Sequence, residues 1–239
     1  MSAEVRTAGE SVDAARPTEV RPGGRMPSRA PVAIAVTLGL LALGGLLAAL
    51  AHLVGLDPIA VVIGSACGVV LSAGLVGAAS AAGTTGLGPA DGVTAVRAVL
   101  ACGVAALTVE LVADRSVTSA ILLLAVPALV LDAVDGWLAR RTGTATPLGA
   151  RLDGEVDAFL ILVLSVGVGS ILGWWVLAAG LARYVFALAG HLLPWMRRPL
   201  PYRYWRKVVT AAVGIALVVA LAGILPAWVA AAVVGIALA

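Results

Sequence analysis

Eight apolar runs take up most of this chain and leave it few ways to fold. They lie at about 31–54, 59–82, 93–112, 117–136, 152–172, 174–193, 208–224 and 226–239. A helix needs about 20 apolar residues to cross a hydrocarbon core about 30 Å thick, and most of the runs reach that length. The last falls short. The runs are continuous rather than alternating, which favours helices over a barrel, whose strands show lipid only every second residue. Composition agrees, with 61% of the 239 residues hydrophobic and 12% charged, whereas a soluble domain is about a quarter charged. The sequence therefore predicts an all-α polytopic membrane protein. Breakers punctuate the runs at Gly55–Pro58, Gly86–Gly92, Gly143–Gly149, Pro199–Pro201 and Pro226, where turns are expected.

Charge sets the expected orientation. Residues 1–30 carry five arginines among Pro, Gly, Ser and Glu, the composition of a disordered tail. The tail is too polar for a signal peptide, and the run after it is too long for one. No aromatic residues are interleaved with the arginines, so nucleic-acid binding is not expected. With the N-terminus in the cytoplasm and sides alternating, Arg6, Arg16, Arg21, Arg25, Arg29, Arg97, Arg140, Arg141, Arg151, Arg197, Arg198, Arg203, Arg206 and Lys207 all fall inside. Those are fourteen of the sixteen basic residues, with Arg115 outside and Arg183 within a helix. Trp174, Trp175 and Trp228 mark the outer interface, and Trp137, Trp195 and Trp205 the inner one. This places the N-terminus, and the aspartates discussed next, at the cytoplasmic face of the cell membrane.

The first two runs carry no functional polar groups. Gly64 and Gly68 make a GxxxG spacing, extended by Ser72, which predicts close helix contact. His52 reads as an interfacial residue. Cys67 and Cys102 lie inside apolar runs with no disulfide or zinc spacing, and read as buried small hydrophobes.

Residues 132–157, DAVDGWLARRTGTATPLGARLDGEVD, carry the chemistry. Asp132 and Asp135 close one apolar run, and Asp153 and Asp157 open the next. On a helix, Asp132, Asp135, Gly136, Ala139 and Arg140 share one face, as do Asp153 and Asp157. Gly143, Pro147 and Gly149 let the chain turn back, so the two carboxylate pairs would confront each other across a cleft. Crowded carboxylates at the edge of a membrane resist ionisation unless a cation compensates them. An all-oxygen set with no His or Cys nearby suits magnesium or manganese, and two ions would clamp a displacement at phosphorus. The plain alternative is that these acids cap helices or pair with Arg140, Arg141 and Arg151. A rival of another class is a cation transporter, which would spread its acids through the bilayer depth.

The same residues carry a resemblance. Asp132, Asp135, Gly136, Ala139, Arg140, Gly149, Asp153 and Asp157 match D-x2-D-G-x2-A-R-x8-G-x3-D-x3-D, the signature of the CDP-alcohol phosphotransferase family. The resemblance implies a six-helix catalytic core over 88–239, preceded by two additional transmembrane helices at 31–87 and the tail at 1–30. It implies that Asp132, Asp135 and Asp153 bind metal, and that Asp157 binds metal or acts as the base on the acceptor hydroxyl. Gly136, Ala139, Arg140 and Gly149 would line the site for the CDP moiety. PADGVTAVR resembles the family's P-N-x-x-T-x-x-R segment, adding Thr94 and Arg97 as nucleotide contacts; Asp91 stands where Asn is usual.

Outside the signature, Arg183 is a guanidinium within a membrane run, and such a charge marks a function or finds a neighbouring acid such as Asp157. Its segment LARYVF resembles the A-R-E segment of phosphatidylglycerophosphate and cardiolipin synthases, with Tyr184 in place of Glu. An acceptor phosphate would suit it. The basic loop PWMRRPLPYRYWRK fits topological retention and attraction to anionic lipids, and Lys207 with Thr210 resembles a K-x-x-T element of glycerophosphate-using members. The expected reaction is transfer of a substituted phosphate from CDP-diacylglycerol, or another CDP-alcohol, to a small alcohol or alcohol phosphate, releasing CMP. Glycerol 3-phosphate is the first choice of acceptor and inositol phosphate the second. Homodimers are usual in the family.

Overall fold

The computed structural model describes residues 30–83, 86–87, 89–113, 116–142, 146–193 and 205–238. The helices are α1 (Val32–Val54), α2 (Pro58–Ala81), α3 (Pro89–Val112), α4 (Thr118–Thr142), α5 (Pro147–Leu172), α6 (Leu177–Leu192), α7 (Trp205–Leu221) and α8 (Ala227–Leu238). The chain is an all-α polytopic membrane protein. Among the described residues, four helices are long and apolar enough to cross a bilayer by length and composition, over Val32–Val54, Pro58–Ala81, Asp91–Val112 and Leu148–Leu172. The other four carry shorter apolar stretches, Thr118–Val134, Trp174–Gly190, Val208–Leu221 and Ala227–Ala237. The arginine-rich tail at 1–29 and the basic stretch at 194–204 lie outside the described residues.

Local chemistry sets the boundaries. Gly55 ends α1 at φ 75, a left-handed conformation open to glycine, and its N–H donates to the Ala51 carbonyl. Asp57 then opens α2, its carboxylate accepting from the Ile59 N–H at 2.8 Å with Pro58 just inside the helix. Thr146 does the same for α5, accepting from the Gly149 N–H at 2.9 Å ahead of Pro147. Two expectations change here. Helix α5 begins at Pro147 instead of about 152, so Gly149 belongs to its first turn and not to the linker. Helix α4 continues to Thr142 because Leu138, Ala139, Arg140 and Arg141 are good helix formers. A feature with no sequence signal is a two-residue antiparallel bridge, Ala30–Pro31 against Gly86–Leu87, which ties the start of α1 to the segment before α3.

Helix α3 lies at the centre, packed against α1, α2, α4 and α5. Residues Ala101–Thr108 are buried on every side, as expected of a helix surrounded by others. Small residues make this possible. A Cβ on Gly103 would stand 2.8 Å from both Leu124 of α4 and Leu46 of α1. The expected GxxxG contact is present: a Cβ on Gly64 would lie 3.0 Å from Ala106 and 3.2 Å from the Cys102 carbonyl, and one on Gly68 would overlap Leu43. Buried hydroxyls bond back to their own helices, Thr108 to the Val104 carbonyl at 2.8 Å and Ser165 to that of Ile161 at 2.7 Å. Outward faces bear side chains such as Leu41, Leu53 and Val70, which lipid solvates without penalty.

Gly64→Leu should lower stability in detergent by about 1–3 kcal/mol through overpacking, whereas Gly44→Leu, whose Cβ meets nothing within 4 Å, should leave it nearly unchanged. Thermal unfolding followed by circular dichroism separates the two, and equal melting temperatures would rule out the tight α2–α3 contact.

Candidate active site

Three helices meet in the first turns of α3 and α5 and the later half of α4. The first turns of α3 contribute Asp91, Thr94 and Arg97, spaced three residues apart and all buried. Helix α4 contributes Asp132. Helix α5 contributes Asp153 and Asp157, one turn apart. Arg97 is the hub. Its Nη1 lies 2.6 Å from Asp153 Oδ1 and 3.1 Å from Asp132 Oδ1, its Nη2 donates to Asp157 Oδ1, and its Nε donates to the Ala128 carbonyl at 3.1 Å. The guanidinium is fully buried, and a buried cation is tolerable only with partners of this kind.

The carboxylates are themselves close. Asp132, Asp153 and Asp157 each offer an oxygen within 4.8 Å of the others. Ionised, they carry three negative charges against the one positive charge of Arg97, an excess of two. An all-oxygen donor set with that excess fits one hard divalent cation. The same three carboxylates that bond Arg97 are the ones that could hold a cation.

Gly149 has a definite role. A Cβ there would stand 2.5 Å from Asp91 Oδ1 and 3.1 Å from Thr146 Oγ1. The missing side chain admits Asp91 to the N-terminal turn of α5, where the helix dipole favours a negative charge. This gives a physical reason for an aspartate at position 91.

A carboxylate cluster inside a helical membrane bundle marks a functional site by default. A family model described as CDP-alcohol phosphatidyltransferase matches residues 88–239, and the chain belongs to that family, a family of transferases of substituted phosphate groups. No curated protein gives a significant match, and neither does any solved structure.

The expected residues fall out as follows. Asp132, Asp153 and Asp157 come together. Arg97, expected among the nucleotide contacts, sits within the carboxylate cluster, and Thr94 lies one turn before it. Asp135, Gly136, Ala139 and Arg140 belong to α4 and Lys207 to α7, but their side chains lie outside the described residues. Arg183 stands apart from the cluster: its Nη2 donates to Glu155 Oε1 at 2.7 Å, with both groups about half exposed. The partner is Glu155 and not Asp157. Glu155 was missed because it is two residues from Asp153 and so on another face of α5; its position near Arg183 depends on how α6 packs. Glu110 was also missed. It is buried in α3 at the far end of the helix and accepts the Asp57 N–H at the start of α2.

Arg97→Gln should destabilise the metal-free protein by about 3–5 kcal/mol, since it leaves clustered carboxylates without their cation. Magnesium or manganese should restore part of the loss, because a bound cation replaces the missing charge. Melting curves in EDTA and in excess metal test this. An equal deficit in both would show that added cations do not use the cluster.

Proposed function

We propose that this protein transfers the phosphatidyl group of CDP-diacylglycerol to glycerol 3-phosphate, releasing CMP, at the cytoplasmic face of the cell membrane. The observation that carries the reading is the convergence of Asp132, Asp153 and Asp157, drawn from two separate helices onto the Arg97 guanidinium. The distribution of basic residues along the sequence supports the cytoplasmic orientation.

In this reading the acceptor hydroxyl oxygen forms a bond to the phosphorus that carries the diacylglycerol, and the bond from that phosphorus to the CMP oxygen breaks. Asp132, Asp135, Asp153 and Asp157 would hold magnesium or manganese, in a two-ion arrangement. Bound there, the metal supplies neutralisation of the pyrophosphate and stabilisation of CMP as it leaves. Asp157 takes the proton from the hydroxyl. Arg97 engages Asp157 Oδ1 in this structure, and an arriving phosphate, whose oxygens are matched acceptors for the guanidinium, would draw it off that carboxylate. Thr94, Gly136, Ala139, Arg140 and Gly149 surround the nucleotide. No Cys or His stands among the described residues of the cluster, which favours direct displacement over a covalent intermediate.

Arg183 and Lys207 hold the acceptor phosphate. An exposed pair such as Arg183–Glu155 contributes little to stability, so Arg183 is readily given up to a phosphate.

CMP release by purified protein with CDP-diacylglycerol and magnesium should appear with glycerol 3-phosphate and vanish with EDTA. Inositol 1-phosphate, inositol, serine and a second phospholipid run in parallel identify the acceptor if it is another. Turnover that persists in EDTA would refute the metal-dependent reading. Asp157→Asn should lower kcat by about 10²–10⁴-fold while donor binding persists in calorimetry; an unaltered kcat would end its role as base. Arg183→Ala should chiefly raise the KM for the acceptor, and an unchanged KM would leave the residue a structural role.

A further inference from the structure

A cavity of about 650 Å³ lies beside the aspartate cluster, between α1, α2, α3 and α5 and bounded by Tyr184 of α6. That volume is within the range of sites that enclose a small molecule, about 300–1,000 Å³. Two of its walls, α1 and α2, precede the residues matched by the family model. The cavity has a polar end and an apolar body. Asp91, Thr94, Arg151 and Glu155, the last paired with Arg183, line the polar end, and Thr94 is one helical turn from Arg97. Leu43, Leu75 and Val99 line the body, and Cys67, Cys102 and Phe159 the floor. Gly39 and Gly74 also line it, and a Cβ on either meets nothing within 4 Å, so room is left where side chains could have filled it.

The dimensions suit one kind of ligand. From Thr94 to Cys102 is eight residues, or about 12 Å of helix, close to the half of a 30 Å hydrocarbon core that one leaflet occupies. A second apolar cavity of about 400 Å³ abuts the floor, with Cys67 and Phe159 lining both. A ligand with a charged head at Arg151 and Thr94 and a hydrocarbon tail one leaflet deep matches this polarity and length. We infer that the chamber receives an acyl chain of the CDP-linked lipid donor, and that the two helices outside the family-matched stretch serve to wall it. The inference rests on the donor proposed above being a diacyl lipid. Cys67 and Phe159 then set how long a chain fits easily.

Two measurements on the full-length protein test it. In the first, kcat/KM is compared for dioctanoyl and dipalmitoyl CDP-diacylglycerol. Cys67→Phe, which fills the floor, should lower the long-chain to short-chain ratio by about tenfold or more. Val62→Phe, on an exposed part of α2 away from the chamber, should leave the ratio as in wild type. In the second, the wild-type protein is irradiated with CDP-diacylglycerol bearing a diazirine at the acyl terminus. Label is expected on peptides of α2 and should be displaced by dipalmitoyl donor and not by phosphatidylcholine. Turnover with an unchanged ratio, or label displaced equally by phosphatidylcholine, overturns the acyl chamber while leaving the proposed reaction intact. Absence of turnover with either donor and every acceptor strikes the proposed reaction instead, and the labelling then decides the chamber alone. Should Cys67→Phe fail to fold, the labelling of wild type decides.

Discussion

One buried guanidinium organises this protein. Arg97 is at the centre of a membrane bundle with carboxylates on two sides and a carbonyl on a third. Isolated in hydrocarbon, any of these charges would be costly, and together they are tolerable only in a narrow arrangement. That condition fixes the first turns of α3, the later part of α4 and the first turns of α5 relative to each other. Apolar packing alone would allow sliding, because lipid is as good a solvent for Leu as another helix is. The ionic cluster provides register where the hydrophobic effect provides little.

The cluster also reconciles two demands on the site. Three clustered carboxylates call for compensating positive charge, and in the proposed reaction the site would also take up metal and a pyrophosphate. A guanidinium bonded to all three carboxylates meets the first demand, and its exchange for a cation of higher charge would meet the second. Gly149 shows the same economy in steric terms, its missing side chain making room for Asp91 beside a helix terminus.

Much of this was legible in the sequence, for reasons that differ by residue. The helices were readable because hydropathy over 20 residues is a strong local signal, and the convergence of Asp132, Asp153 and Asp157 because fixed spacing encodes helix faces. The end of α4 and the start of α5 were harder to place at their linker, since Thr146 and Pro147 act as a cap only once Gly149 joins the helix. The position of Arg97 was not legible: its partners are 31 to 60 residues away, and its spacing on α3 fits a nucleotide contact equally well. Arg183 was seen as a charge needing an acid, but the choice of Glu155 over Asp157 depends on the rotation of α6 about its axis. The bridge between Ala30–Pro31 and Gly86–Leu87 has no residue pattern to announce it.

The contact at the far end of α3 bears on how such a protein can be divided. Glu110 is almost fully buried and accepts the backbone N–H of Asp57, which begins α2, while the opposite end of the same helix is flanked by the strand bridge to the start of α1. The helix that supplies Arg97 is thus clasped at both ends by the segment that precedes the family-matched residues. Cutting the chain at position 88 would strip a carboxylate of its partner within the membrane and open the small-residue face of α3 to lipid. The boundary drawn by sequence similarity is therefore not a line of structural separation, since α1 and α2 pack directly on the helix that supplies Arg97.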